Sequence, residues 1–367
     1  MRKNFEKNYQ QDHFFTNNLM QWHIKVNKRT MPWKGILDPY KIWLSEIILQ
    51  QTRVEQGWSY YERFIHAFPT IQDLAKADES VVFKLWEGLG YYSRCRNLIH
   101  SAKYIVDQLN GQFPNTYQSI LSLKGVGPYT AAAIASFAFK LPHAVVDGNV
   151  IRVLARYFAY AERPDQTKAR KWFDAKAAVL LDKSNPNLFN QAIMDLGATI
   201  CKPQQPLCTS CPLSSECLAL VQQKVEQLPT PKEKLIKKHR FFLYLVINHQ
   251  NKWYVQKRPK GDIWADLFEF IPLETFENAE EIDQWSNSND AFNYFGQKPV
   301  LQNVSTVFKQ ELTHQTIRIQ FLQLTLKKPW EKSLGFRLVD WEEMKQLAFP
   351  RTFTFFMESH KNWFLNI

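Results

Sequence analysis

Cysteine is scarce in this 367-residue chain: five residues, too few to staple a protein of this length by disulfides. Long apolar runs are missing too. The longest, around Ala131–Phe139, falls well short of the roughly 20 residues that a membrane-spanning helix needs. The opening residues Met1-Arg2-Lys3-Asn4-Phe5-Glu6-Lys7 hold no apolar core of a secretory signal. No repeat of fixed period and no low-complexity tract occurs. Disulfide-scaffold, membrane-spanning and solenoid classes are thereby excluded, and a cytoplasmic protein is expected.

What is present is positive charge, unevenly spread. Lys and Arg number 46 against 35 acids, a net charge of +11. Residues 1–225 carry 27 basic and 18 acidic side chains, a net of +9, which leaves +2 for the remainder. A front half with that excess suits a polyanion such as nucleic acid, although ordinary surface basicity has the same look.

From about Phe14 to Leu220 the apolar residues recur at three- and four-residue spacing, as in Leu98/Ala102/Ile105 and Val150/Val153/Leu154. That is the period of helices. Turn signals such as Phe113-Pro114-Asn115 separate the segments, so residues 1–225 read as an all-α domain. Residues 226–238, with Leu228-Pro229-Thr230-Pro231-Lys232, have the composition of a linker. Beyond them the pattern changes to short alternating runs, which predict strands at Arg240–Asn248, Trp253–Lys257, Val304–Phe308 and Thr316–Leu326. A helix is predicted over Val339–Leu347. Residues 239–367 therefore form a second, α+β domain, and the chain is multidomain.

Four of the five cysteines, Cys201, Cys208, Cys211 and Cys217, crowd into 17 residues with spacing C-x6-C-x2-C-x5-C. Four inert thiols would each need a separate apolar niche, so a shared metal centre is the better reading. Spacing alone leaves zinc and an iron–sulfur cluster open. Cys95 stands apart and reads as a small buried residue.

Leu123-Lys124-Gly125-Val126-Gly127-Pro128-Tyr129 joins two helical stretches. Gly125 and Gly127 permit a tight turn with exposed amides, Val126 lies between them, and Pro128 suits the first turn of a helix. Amides at a helix start hold a phosphate without reading sequence. An ordinary helix–helix turn has the same local pattern.

Two carboxylates are candidates for acid–base chemistry. Glu46 lies in Trp43-Leu44-Ser45-Glu46-Ile47-Ile48, where apolar neighbours on its helical face would desolvate it and keep it protonated. A neutral carboxylic acid near neutrality is a general acid. Asp147, in Val145-Val146-Asp147-Gly148-Asn149, is delivered to the mouth of the next helix, a position equally suited to a plain N-cap. One neutral acid and one ionised stabiliser would together cleave a glycosidic bond.

Trp43-Leu44-Ser45-Glu46, Leu49-Gln50-Gln51-Thr52, Gly88-Leu89-Gly90-Tyr91-Tyr92, Gly125-Val126-Gly127, Val146-Asp147-Gly148-Asn149 and Asn190-Gln191-Ala192-Ile193-Met194-Asp195-Leu196-Gly197 resemble, in register, the A/G-specific adenine glycosylases (MutY) of the helix-hairpin-helix superfamily. The resemblance spans about residues 15–220. It implies a monofunctional DNA glycosylase acting, as a monomer, on double-stranded DNA with adenine opposite 8-oxoguanine or guanine. By resemblance, Glu46 protonates adenine N7 and Asp147 stabilises the sugar cation, with Tyr129 and Asn149 beside it. Arg29, Trp33, Leu49 and Gln191 would line the adenine pocket, and Gln51 and Tyr91 would probe the duplex. Cys201, Cys208, Cys211 and Cys217 would hold a [4Fe–4S] cluster. Lyases of the superfamily carry lysine where this chain has Tyr129, so an endonuclease-III-like lyase is the alternative activity and a non-catalytic iron–sulfur DNA-binding protein the third.

The second domain resembles the Nudix-like recognition domain of the same family. It lacks the Arg-Glu-x-x-Glu-Glu helix that diphosphate hydrolysis needs. Where the family has Phe-Ser-His against 8-oxoguanine, this chain has Leu312-Thr313-His314, which keeps the hydroxyl and the imidazole and loses one aromatic ring.

Overall fold

A computed structural model describes residues 2–233, 236–273, 289–330 and 335–365. Two of the proposed linker positions, Lys234 and Leu235, lie outside the described residues. The chain divides into two compact units. One comprises Met1–Lys76 and Arg96–Glu233, the other Ala77–Cys95 and Lys234–Ile367.

The first unit is helical: α1 (Arg2–Lys25), α2 (Pro39–Leu49), α3 (Val54–Ala67) and α4 (Ile71–Lys76) come from its first segment. After α5 (Glu79–Trp86), α6 (Ser93–Gln108) runs into its second segment. There follow α7 (Tyr117–Leu121), α8 (Pro128–Phe139), α9 (Gly148–Tyr157), α10 (Thr167–Leu180), α11 (Pro186–Thr199) and the single turn α12 (Leu218–Val221).

Two of these helices are apolar on nearly every face and so belong inside. In α2, Tyr40 and every residue from Ile42 to Ile48 are buried; in α8, every residue from Thr130 to Ser136 is. They pack against each other. Asp38 starts α2 by accepting from the Tyr40 amide at 2.9 Å, and Pro39 fills a position where a missing N–H costs nothing. A second core joins Phe15, Leu19 and Trp22 of α1 to Val150, Val153 and Leu154 of α9 and to Phe189, Ile193 and Leu196 of α11. Each such side chain contributes about 1.5–3 kcal/mol on leaving water. This packing sets the start of α9 beside the last turn of α11, where Gly197 meets Asn149.

The turn between α7 and α8 treats its two glycines differently. Gly125 has φ +83°, the left-handed region that costs an L-residue about 1–2 kcal/mol. A Cβ there would also stand 2.6 Å from the Asn97 Cβ. Gly127 caps α8 with an ordinary φ of −95°, and a Cβ would meet nothing within 4 Å. The expectation that both glycines make the turn therefore holds for Gly125 alone. Gly127 leaves open the space in front of the α8 amides.

In the second unit β1 (Lys238–His249) and β2 (Lys252–Lys257) form a hairpin, with Gln250 and Asn251 left-handed in a two-residue turn. Then come β3 (Phe268–Glu269), β4 (Ile271–Leu273), helix α13 (Asn289–Phe295), β5 (Val300–Val304), β6 (Phe308–Glu311), β7 (Gln315–Thr325), β8 (Arg337–Val339), α14 (Trp341–Gln346) and α15 (Arg351–Ser359). The sheet runs β3-β2-β1-β7-β5, with β4 on β1, β6 on β7 and β8 on β2. β1 and β7 pair in parallel from Lys238↔Gln315 to Asn248↔Thr325. One face of the sheet buries Leu243, Leu245, Ile247, Leu322 and Leu324. Around Phe321, Phe353, Phe356 and Phe270 the rings pack stacked or edge to face, with Phe321 and Phe356 only 3.8 Å apart.

Two expected elements are corrected. Val304–Phe308 is not one strand: Val304 ends β5 and Phe308 begins β6, and at the break between them the buried Ser305 hydroxyl accepts from the Phe321 amide at 3.0 Å. Val339 ends a strand paired to Trp253, and the helix begins only after the Asp340 cap.

Replacing Gly125 by Ala should lower the urea midpoint by the equivalent of roughly 2 kcal/mol or more, strain and clash together. Gly127→Ala should cost about 1 kcal/mol or less, the difference between glycine and alanine as a cap. Equal effects at the two positions would refute the distinction.

Candidate active site

The α2 helix, the loop after α1, α8, α11 and the start of α9 enclose a cavity of about 330 Å³, within the range of small-molecule sites, roughly 300–1,000 Å³. Glu46, Asp147, Tyr129, Asn149, Arg29, Trp33, Leu49 and Gln191 all line it. These eight residues, scattered over more than 160 positions, are thus brought to one place.

Glu46 is 6% exposed on a helix buried all round, so its charge has little water to solvate it. Burial pushes its carboxyl up to about 7, and the negative Asp147 pushes the same way. The Tyr129 phenol, its hydrogen-bond partner, pulls in the opposite direction by favouring the carboxylate. Tyr129 in turn is raised well above an ordinary phenol, by burial first and then by Glu46 and Asp147. It remains a neutral donor.

Asp147 does cap α9, accepting from the Val150 amide at 2.7 Å through Oδ1. Its other oxygen accepts from Asn149 Nδ2 at 2.8 Å. Asn149 is held by Arg152, whose Nη2 donates to Asn149 Oδ1 at 2.8 Å and to the Gly197 carbonyl at 2.7 Å. Gly197 is closely approached: a Cβ there would fall 2.7 Å from the Asn149 Cβ.

Sequence reasoning missed the network behind the cavity wall. Asp195, fully buried on α11, accepts from Asn27 Nδ2 at 2.8 Å, Arg29 Nη1 at 2.8 Å, Lys34 Nζ at 2.9 Å and Gln191 Nε2 at 3.0 Å. His23 and Lys34 also line the cavity. The one local hint was the i, i+4 spacing of Gln191 and Asp195.

The remaining candidates lie elsewhere. Gln51 is exposed just past α2 with φ +58°. Its neighbour Gln50 reaches the Thr130 hydroxyl at 3.3 Å and so ties the end of α2 to the start of α8. Gly125, Val126 and Gly127 form the turn already described. In the second unit, Leu312, Thr313 and His314 make the turn between β6 and β7, where the Leu312 amide donates to the Gln315 carbonyl at 2.8 Å. Thr313 and His314 are exposed and Leu312 half-buried. Tyr91, exposed with φ +48°, belongs to the same unit, and its hydroxyl lies 2.7 Å from that of Thr313.

Cys201, Cys208, Cys211 and Cys217 line one small cavity and none is in a disulfide. Among the described residues, no three His, Cys, Asp or Glu side chains converge to hold a single ion. Burial pushes the Cys208 and Cys217 thiols up, and that of Cys211 to about 12. Burial thus favours the neutral thiols, and thiolates at this place would need a cation beside them. Arg156 meets the same cavity, its Nη1 3.5 Å from Cys201 Sγ and 2.6 Å from the Lys202 carbonyl. Cys95 is buried. No helix among the described residues is long and apolar enough to cross a membrane.

The ¹³C resonance of the Glu46 carboxyl should titrate with a midpoint of about 7. Tyr129→Phe, which removes the donor to the carboxylate, should raise that midpoint; Asp147→Asn, which removes a neighbouring negative charge, should lower it. A wild-type midpoint below about 5 would mean that the carboxyl is hydrated and not buried.

Residues 44–176 match the family described as HhH-GPD superfamily base excision DNA repair protein, and residues 242–359 match the NUDIX domain. The adenine DNA glycosylase of Buchnera aphidicola subsp. Baizongia pistaciae is 34% identical over 316 residues, 86% of this chain and 87% of that protein. The Homo sapiens adenine DNA glycosylase is 44% identical over 222 residues, 58% of this chain and 40% of that protein. Among solved structures, that of a thermostable thymine-DNA glycosylase superposes with TM-score 0.54 at 28% identity, covering 59% of this chain and 99% of that one. With identity extending across both parts of the chain, this protein belongs to the adenine DNA glycosylase family.

Proposed function

We propose that this chain hydrolyses the N-glycosidic bond of adenine paired with 8-oxoguanine or guanine in double-stranded DNA, as a monofunctional glycosylase. The observation that carries this reading is the pair of carboxyl groups facing one cavity from unlike surroundings. Glu46 is dry and raised to about 7, whereas Asp147 sits on the N-terminal amides of α9.

Chemically, the flipped base leaves when Glu46 delivers its proton to N7. The C1′–N9 bond breaks, positive charge builds at the sugar, and the Asp147 carboxylate stands ready to stabilise it. Asn149 orients Asp147, and Tyr129 orients Glu46. Arg29, Trp33, Leu49 and Gln191 enclose the base. Water then adds at C1′, and the proton it releases returns the Glu46 carboxylate to its acid form. A lyase step needs a free amine in the cavity. Tyr129 has none, and Lys34, which also lines the cavity, has its Nζ engaged by Asp195 and by the Arg29 carbonyl at 2.7 Å.

The backbone of the helix-hairpin-helix turn, Gly125, Val126 and Gly127, serves as the phosphate clamp, with the space before Gly127 open to an anion. A [4Fe–4S] cluster is proposed on Cys201, Cys208, Cys211 and Cys217, supported by the one small cavity that all four line. Its contribution is to pin the loop structurally. Residues 1–225 are proposed as the catalytic domain, 226–238 as the linker and 239–367 as the lesion-reading domain. In the last of these Thr313 and His314 meet the 8-oxoguanine and Leu312 supports the turn, while Tyr91 and Gln51, from outside it, enter the duplex. The protein is proposed to act as a cytoplasmic monomer.

Glu46→Gln should cut single-turnover adenine release by about 10²–10⁴-fold while duplex binding persists. A loss of less than about tenfold, 1.4 kcal/mol of barrier, would reject the general-acid role. Wild-type release should decline as pH rises above about 7, where Glu46 loses its proton. Thr313→Ala should reduce the preference for adenine opposite 8-oxoguanine over adenine opposite guanine; equal losses on the two duplexes would place lesion reading elsewhere.

A further inference from the structure

Asp195 has no contact with the cavity, yet it holds three of the residues that line it. Its carboxylate accepts from Arg29, Lys34 and Gln191, and also from Asn27, whose Nδ2 stands 3.0 Å from His23 Nδ1. A carboxylate facing cationic and amide donors accepts and cannot donate. The Gln191 amide therefore has one permitted orientation: its NH₂ turns to Asp195, and its carbonyl oxygen is left for the cavity that Gln191 lines. The Arg29 and Lys34 heads are held at the same wall by ion pairs of 2.8 and 2.9 Å, each about a quarter exposed. On this side of the cavity Gln191 thus presents an acceptor flanked by cationic donors.

That polarity matches one purine. On the edges of adenine the exocyclic amine is the single donor, and the ring nitrogens accept. A 6-oxopurine puts an acceptor where adenine has its amine, so it would set oxygen against the Gln191 oxygen. Resting on the adenine-excising reading above, we propose that Asp195 is the positioning residue that sets base specificity: it locks the donor–acceptor direction of Gln191 and thereby selects a 6-aminopurine over a 6-oxopurine. Asp195 touches no base itself.

The experiment compares single-turnover release of adenine and of hypoxanthine, each opposite 8-oxoguanine, by the full-length protein and its variants. In Asp195→Asn the amide can donate as well as accept, so Gln191 is free to reverse. The adenine-to-hypoxanthine rate ratio should fall by roughly ten- to a hundredfold, the effect of one mispaired buried hydrogen bond. Adding Gln191→Glu to that variant should restore the ratio, because a carboxylate offers oxygen in either orientation. A purely structural lesion at position 195 would slow both substrates alike and would not be repaired at position 191. A folded Asp195→Asn protein with a ratio within about twofold of wild type would overturn the proposal. If Asp195→Asn does not fold, Gln191→Leu in the parent decides: the ratio must collapse there, and its persistence overturns the proposal. Wild-type protein that releases no adenine would defeat the proposed function itself, a result distinct from either outcome.

Discussion

A carboxyl group denied water is the constraint on which the cavity between α2, α8, α9 and α11 depends. Glu46 is dry because α2 is apolar on all sides, and α2 is interior because burying Trp43, Leu44, Ile47 and Ile48 outweighs the cost of one uncharged acid. Holding the proton is the cheapest way for a buried carboxyl to exist without a cation. The same low-dielectric setting that strains the anion gives the acid a proton to donate near neutral pH. Tyr129 and Asp147 act on Glu46 in opposite directions, so its acidity is a balance set by three elements, α2, α8 and α9.

The second carboxylate is held by a different kind of structure. Asp147 sits at the end of a chain of directed hydrogen bonds through Asn149 to Arg152, and Arg152 donates at 2.8 Å to the carbonyl of Cys201. One turn along α9, Arg156 reaches the carbonyls of Lys202, Pro203 and Leu228. The helix that Asp147 caps therefore also grips the cysteine loop. Two buried arginines on one helix would be costly in isolation; here backbone carbonyls satisfy their planar forks. Whatever orders that loop also fixes the start of α9.

Much of this was legible beforehand because it depends on local pattern. The three-to-four period predicted the helices, and alternation predicted β1, β2 and β7 to within a few residues. Glu46 and Asp147 stood out because each sits in an apolar run where a charge is unexpected. Other features gave no local signal. Gly127 reads like Gly125, yet the left-handed backbone of Gly125 and the packing of Asn97 against it distinguish a glycine needed for the turn from one that keeps space open. A convincing strand breaks at Ser305, whose hydroxyl accepts from the amide of Phe321, a partner 16 residues away. Asp195 looks like any polar residue on a helix until Asn27, Arg29 and Lys34 are brought against it.

Sequence alone determined the helical character of the first part and the α+β character of the second, the two carboxyl groups and the set of four cysteines, because periodicity and residue chemistry are properties of short stretches. Tertiary structure decided how those groups are tuned. The acidity of Glu46, the direction of the Gln191 amide and the anchoring of Asp147 arise from desolvation and from hydrogen bonds between residues up to 168 positions apart. Burial and direction belong to the assembled surroundings of a group, and no stretch of chain carries its surroundings with it.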